Sequence, residues 1–535
     1  MPTLHFKGKT FVQNHHLAVK YHQLVPKKEL SLTDNISLHD NLIIQGDNLK
    51  ALKALLPTYA GKVKCIYIDP PYNTGNENWV YNDNVNSPML KEWLGKVVDK
   101  EDMTRHDKWL CMMMPRLKLL RELLSEDGII FVSIDEVEHH YLMALLDEIF
   151  GKDNLLCNFI WKSRQIVDSR NQNKVSIDHE YVIAFAKHPE TKLRGKQSDK
   201  NKYSNPDNDP RGPWMSNSIL GLANEENRPN LHYTITDPKT KRKFECPPDT
   251  GWRYSKETMQ KKIDEERIVF PNKADGRPRE KKFLSELTDE YTGFSSILDE
   301  TVGYTLNGTR DLREILGVET FAFPKPQSLI KKLVEQATKD DDIILDSFAG
   351  SGTTAHAVLE LNKEDGGNRK FILVEQEDYA NTITAERVRR VIKGVKTAKS
   401  ENLKKGTGGT FSYFQLGDSI EMESILTGKS LPSYEELARY IFYTATGQEF
   451  SEKKINHKTN FIGETEHYEL YMLYEPNIDW LKQNALTLDG VRSMPKYTGK
   501  QRLVFAPAKY VDDYTLLEHR IDFCQLPYEI YRIQK

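Results

Sequence analysis

Residues 65–75 read CIYIDPPYNTG, a stretch that leaves the backbone few options. Ile66, Tyr67 and Ile68 form an apolar run that suits a buried strand. Pro70 and Pro71 follow at once. They fix φ and remove two N–H donors, so the strand must end and the chain must leave the sheet as a stiff loop. Asn73-Thr74-Gly75 then signals a turn. A prolyl loop with a carboxylate before it and a ring after it is a pocket for a flat amine. Asp69 and the Pro70 carbonyl can accept hydrogen bonds from an exocyclic NH2, and Tyr72 can stack on the ring that carries it. The plainer reading is a strand terminator, with Tyr72 as packing.

The chain has 535 residues, too many for one core, so two to four domains are expected. No apolar run approaches the roughly 20 residues needed to cross a bilayer, and the N-terminal MPTLHFKGKTF lacks the apolar region of a signal peptide. Cys65, Cys111, Cys157, Cys246 and Cys524 lie far apart with no CxxC pair. That spacing argues for a reducing compartment and against a zinc ribbon or disulfide framework. A cytoplasmic protein with no membrane and no metal site is expected. The formal net charge is -3, yet residues 187–282 hold 22 Lys and Arg against 15 Asp and Glu. This local excess is a surface for a polyanion or simply a solvated face.

Residues 1–40 carry no assignable chemistry. From residue 41 to 187, strand-like and helix-like segments alternate, which predicts an open, mostly parallel α/β sheet. Residues 41–47, NLIIQGD, read as a short strand ending in a turn, and Asp47 stands where such sheets bind ligands or, equally, where it caps the following helix. Residues 102–124 predict a long helix that Pro115 kinks. Residues 188–318 break the rhythm. They are rich in Pro, Gly and Asn, with Tyr203, Trp214, Tyr233, Trp252 and Tyr254 among Lys and Arg, and read as an inserted domain. The rhythm returns over 319–400, residues 404–409 (KKGTGG) read as a linker, and 410–535 as a C-terminal α+β domain.

Residues 345–354, LDSFAGSGTT, form the second informative stretch, a strand, a glycine turn and a helix start. Such glycines admit a ligand close to the backbone, and the helix N-terminus favours a negative group. The spacing is neither GxGxxG nor GxxxxGK[ST], so a dinucleotide or NTP site is not supported. Glu375 ends the next strand, where an acid commonly takes a ribose diol. A nucleoside bearing an amino acid fits both ends, and S-adenosylmethionine is such a molecule.

Asp69-Pro70-Pro71-Tyr72 together with residues 346–354 resembles the amino-methyltransferases of DNA, Rossmann-like enzymes that move methyl from S-adenosylmethionine to an exocyclic base amine. The order, with the prolyl motif first, the glycine motif second and an insert between, resembles the permuted β class, whose insert is the target recognition domain. The resemblance covers about residues 42–390 and implies Asp69, Pro70, Pro71 and Tyr72 as the catalytic loop. Asp346, Phe348, Gly350, Gly352 and Thr353 belong to the cofactor turn, Glu375 to the ribose and Asp47 to the cofactor adenine. Lys325, at the entry to the helix before the glycine motif, joins the cofactor side. Length, Asn73-Thr74-Gly75 and the C-terminal region look most like the modification subunit of a type III restriction-modification system. The C-terminal likeness is looser, resting on residues 411–417 and on Gln525-Leu526-Pro527-Tyr528. That resemblance implies double-stranded DNA, a second copy in a homodimer and a helicase–nuclease restriction subunit as partners.

An Asp at the first motif position favours adenine N6 over cytosine N4, again by resemblance, and no Pro-Cys nucleophile site for cytosine C5 is evident. The alternatives that stay open are a DNA-specificity subunit for a partner nuclease with methylation secondary, a cytosine-N4 enzyme and an RNA adenine-N6 enzyme. Protein-glutamine methylation is weaker, because such enzymes usually carry Asn where this chain has Asp69.

Overall fold

The computed structural model describes residues 3–72, 105–169, 174–273, 275–317, 321–420, 431–448 and 450–526. Expectations resting on Asn73-Thr74-Gly75, the polar loop after it, residues 102–104, Val318 and Pro527-Tyr528 lie outside these residues. The chain divides into two compact units. One joins Met1–Leu193 with Ser295–Lys535, and the other is Arg194–Phe294.

In the larger unit the main sheet uses, in chain order, β1 (His22–Pro26), β2 (Leu42–Gln45), β3 (Val63–Ile68), β4 (Leu124–Ile134), β5 (Leu155–Lys162), β6 (His179–Ala186), β7 (Ile297–Leu298), β8 (Ile343–Asp346), β9 (Lys370–Glu375) and β10 (Ser412–Ser419). In space they run β1-β10-β2-β9-β8-β3-β4-β6-β5-β7. The central neighbours from β10 to β4 are all parallel. Strand β6 turns antiparallel against β4 and β5. The longer helices among its described residues are α1 (Asn48–Tyr59), α2 (Arg105–Leu123), α3 (His139–Phe150), α4 (Thr305–Leu316), α5 (Gln327–Ala337), α6 (Thr353–Asp365), α7 (Glu386–Lys393) and α8 (Tyr434–Thr446). This is the expected Rossmann-like α/β sheet. Strands buried on both faces need continuous apolar runs, and β3 supplies one, with Cys65, Ile66, Tyr67 and Ile68 at 1% exposure or less.

The strand order matters most for function. Strands β8 and β9 come from beyond the insert, yet β8 lies beside β3, with Leu345 opposite Ile66, and β9 beside β8, with Leu373 opposite Asp346. Parallel strands end on the same edge, so the loop after Ile68, the turn after Asp346 and the side chain of Glu375 share one rim.

Two stretches sit elsewhere than their sequence suggested. Ile297–Leu298 extends the main sheet beside β5 and α4 packs on α7, so residues 295–317 belong to the larger unit. Strand β10 lies inside the main sheet between β1 and β2, where its first half, with Tyr413 and Phe414, is buried. The C-terminal region proper begins after it, with α8 and a four-stranded sheet of Phe461–Glu464, Tyr468–Met472, Gln501–Ala506 and Ile521–Gln525. Its apolar core also takes in Tyr21.

The smaller unit has its own core of Ile219, Ile235, Phe244, Trp252, Met259, Ile263 and Ile268. An antiparallel sheet of Trp214–Ser218, Arg279–Phe283 and Ile268–Val269 and the Ser255-capped helix Lys256–Asp264 frame it. Trp252 is therefore core rather than surface, and its indole N–H donates to the Tyr233 carbonyl at 2.7 Å.

Candidate active site

A cleft of about 1370 Å³ opens over the shared strand ends. It is lined by Asp69, Pro70, Pro71 and Tyr72 on one side and by Asp346, Phe348, Gly350, Thr353 and Glu375 on the other. The two motifs, some 280 residues apart in sequence, thus face one space.

The prolyl loop is braced from behind. The buried Trp109 of α2 donates its indole N–H to the Pro71 carbonyl at 2.7 Å, which fixes how the loop leaves β3. Tyr72 donates its hydroxyl to Glu180 Oε2 at 2.9 Å and is half-buried, so its ring is held at the cleft wall. Lys325, read from sequence with the cofactor residues, instead lies on Asp69. Its ammonium is 2.9 and 2.8 Å from the two carboxylate oxygens, 3.4 Å from Glu180 and 4.8 Å from the centre of the Tyr72 ring. Burial alone would lower the lysine, but the carboxylates of Asp69 and Glu180 outweigh it and hold the ammonium above its usual range.

The glycine turn is shaped by backbone need. Gly350 has φ 51° and Gly352 φ 78°, the left-handed region that side chains disfavour. A β-carbon at Gly350 would lie 3.1 Å from Phe321 Cζ, and one at Gly352 would lie 3.0 Å from the Thr384 carbonyl oxygen. Asp346 closes the turn from below, accepting the Phe348 N–H at 3.0 Å and the Thr354 hydroxyl at 2.5 Å. Burial pushes its carboxyl up to about 7. Glu375 accepts the Gly350 N–H at 2.7 Å and the N–H groups of Gln376 and Glu377 at 2.9 and 3.1 Å. Burial also pushes Glu375 up to about 7. Asp47 caps α1, accepting the Lys50 N–H at 3.0 Å, and is not among the cleft-lining residues, nor is Gly352.

Several residues escaped the sequence reading. Glu180 stands in β6 ahead of its buried apolar half, Val182–Ala186, and nothing local marks it. Phe321 and Tyr379 meet edge to face at 5.5 Å beside the glycine turn. Buried Asn48 donates to the Ser347 carbonyl at 2.9 Å and accepts from Arg116 at 2.6 Å, bracing the turn from α1. Arg387, fully buried on α7, donates to Ser351 Oγ at 3.0 Å and Thr353 Oγ1 at 2.7 Å. A basic, amphipathic helix signal gives no hint that one arginine points inward.

Chemically, one side of the cleft offers an anionic hydrogen-bond acceptor and a stacking ring. The other offers a backbone turn with no side chain of its own at Gly350, beside the Phe321 ring, a helix N-terminus and a buried acid. That second set fits a nucleoside carrying an amino acid. Among the described residues no group of three or more His, Cys, Asp or Glu could hold a metal ion, and no helix is long and apolar enough to cross a membrane.

The family model for DNA methylase matches residues 63–386. The chain is 33% identical over 395 residues to the Mod subunit of the type III restriction-modification enzyme StyLTI of Salmonella typhimurium, a match covering 71% of this chain and 59% of that one. It is 32% identical to the EcoPI Mod subunit of Escherichia phage P1, covering 72% and 67%, and 31% identical to the type II methyltransferase M.KpnI of Klebsiella pneumoniae, covering 65% and 82%. The chain thus spans about three fifths of the length of the StyLTI subunit. Among solved structures, the cytosine-N4-specific PvuII DNA methyltransferase aligns with a TM-score of 0.34 at 14% identity over 66% of this chain and 90% of its own. The M1.HpyAVI–SAM complex aligns with a TM-score of 0.30 at 14% identity, over 65% and 98%.

Proposed function

Since the chain belongs to the DNA methylase family, we propose that it is a site-specific DNA methyltransferase acting on adenine N6 with S-adenosylmethionine as methyl donor. The observation that carries this reading is the single cleft onto which the Asp69 loop and the Gly350 turn both open.

When bound, S-adenosylmethionine would supply a methyl group on a sulfonium, whose C–S electron pair stays with sulfur. Gly350 would leave room for its amino-acid part, Glu375 would take the ribose diol through its remaining lone pairs, and the Phe321–Tyr379 pair would flank the base. Asp69 and the Pro70 carbonyl would accept both amine hydrogens of the target. That draws the nitrogen lone pair out of ring conjugation and aims it at the methyl carbon. Asp69 would also stand ready to take the proton that the amine nitrogen must shed once it has bonded to the methyl carbon, and to pass it to solvent. Positioning and electrostatics carry such a step without a covalent enzyme intermediate. A base inside a duplex must be flipped out to reach the cleft, with Tyr72 as its stacking face.

Likeness to the StyLTI and EcoPI Mod subunits supports placing the chain as the modification and DNA-recognition subunit of a type III system, with a restriction subunit and a second copy as partners. The Arg194–Phe294 unit would read the site. Single-molecule sequencing of DNA from cells with and without the gene tests the whole. One short motif methylated at adenine N6 is expected, methylation at cytosine N4 would move the assignment to the other amine, and unmodified DNA from cells making the folded protein would overturn it.

A further inference from the structure

Asp69 does not stand alone. Its two oxygens are spanned by the Lys325 ammonium at 2.9 and 2.8 Å, the same ammonium reaches Glu180 at 3.4 Å, and the same Glu180 oxygen takes the Tyr72 hydroxyl at 2.9 Å. These four side chains come from the loop after β3, from β6 and from the segment leading into α5, so the group exists only in the folded sheet. Lys325 is 9% exposed. An ammonium so enclosed needs its partners, because removing them leaves a buried unpaired charge. One cation faces two carboxylates, which leaves the cluster with one net negative charge. Without that cation the two carboxylates would repel each other.

We propose that Lys325 and Glu180 are positioning residues for methyl transfer: Lys325 holds and aims the Asp69 carboxylate, and Glu180 anchors both Lys325 and the Tyr72 ring. This rests on the methyltransferase reading above, and it assigns Lys325 to the amine side of the cleft rather than the cofactor side. A carboxylate has about four acceptor positions, so the bidentate ammonium leaves Asp69 able to take amine hydrogens. The residual negative charge also suits a pocket that must hold a sulfonium. Lys325 cannot serve as a nucleophile here, since its lone pair is protonated and its three hydrogens are directed to the carboxylates.

Losing the ammonium leaves the Asp69 carboxylate without the two contacts that fix its orientation, a loss felt where the target amine is held. The glycine turn and Glu375 keep their own hydrogen bonds, so the cofactor side of the cleft is untouched, whereas loss of folding or loose packing would weaken both sides.

The test uses the full chain, labelled S-adenosylmethionine and unmethylated plasmid DNA, with kcat and the cofactor KM measured at steady state. Lys325→Met should lower kcat by roughly 10²-fold with the cofactor KM changed less than about threefold. Lys325→Arg, which keeps a cation on Asp69, should recover most of the lost rate, and Glu180→Gln should lower kcat by a smaller factor at an unchanged cofactor KM. A Lys325→Met enzyme with the wild-type kcat, or one whose cofactor KM rises as far as its kcat falls and which Lys325→Arg does not rescue, would overturn the inference while leaving the methyltransferase reading intact. A wild-type chain that methylates no DNA would remove both.

Discussion

The glycines of α6 and its turn permit a controlled experiment. Gly350, Gly352 and Gly366 all have positive φ, at 51°, 78° and 76°. Alanine at any of them costs about 1–2 kcal/mol for the left-handed backbone. Their surroundings differ. A β-carbon at Gly366 would meet nothing within 4 Å, so Gly366→Ala should cost only that backbone term. At Gly352 the β-carbon would come 3.0 Å from the Thr384 carbonyl oxygen, a backbone atom that cannot turn aside, which adds roughly 1–3 kcal/mol of overpacking. At Gly350 it would meet the Phe321 ring at 3.1 Å, a side chain that can shift, so stability should fall little more than in Gly366→Ala. The methyl would however fill the proposed cradle. Urea unfolding followed by tryptophan fluorescence should therefore rank Gly352→Ala as the least stable, with Gly350→Ala close to Gly366→Ala. Calorimetric titration with S-adenosylmethionine should rank them differently, with Gly350→Ala binding more than about tenfold more weakly and Gly366→Ala binding as wild type, where each tenfold corresponds to about 1.4 kcal/mol. If Gly350→Ala and Gly366→Ala bind the cofactor equally well, the turn is structural and the cofactor assignment of Gly350 is wrong.

Asp69→Asn should lower methyl transfer by roughly 10²–10³-fold while cofactor affinity, measured by the same calorimetry, stays within about threefold. Asp346 and Glu375, both held near 7 by burial, lie above their unfolded values of about 4. Their contribution to stability is thus full below about pH 4 and is lost as pH rises through 7. Melting midpoints should fall between pH 5 and 8, with a flatter slope in Glu375→Gln, and an unchanged slope would refute the burial argument. Ending the chain at Lys405 removes β10 from between β1 and β2 and should give an aggregating product, whereas ending it after Ile420 keeps the sheet. Gel filtration with circular dichroism distinguishes the two. Exchanging Arg194–Phe294 for the matching segment of a relative should change the methylated DNA motif but not the methylated atom, read by sequencing.

Much of the fold was legible because it is written in local pattern. The alternation of apolar strands with helices over residues 41–187 and again over 319–400 demands a parallel sheet, since such strands must be covered on both faces. Pro70-Pro71 and the positive-φ glycines 350 and 352 announce loops, because only these residue types tolerate those backbones cheaply. The boundaries of the insert were less legible. Residues 295–317 are polar by composition, yet α4 buries Leu312 and Ile315, and pairing to β5 is a long-range event without a local mark.

The candidate site divides along the same line. Sequence alone determined which residue types could meet an amine and a nucleoside, because carboxylate, proline, tyrosine and glycine carry that chemistry wherever they stand. Tertiary structure decided who meets whom. Setting β8 beside β3 brings Asp346 and its turn to the Asp69 loop across some 280 residues of chain. Strand β6, entering antiparallel, delivers Glu180 to Tyr72, and the segment before α5 delivers Lys325 to Asp69 rather than to the glycine turn. Hydrogen bonds and ion pairs act over about 3 Å of space and are indifferent to sequence separation, so strand order had to be known before these partners could be named.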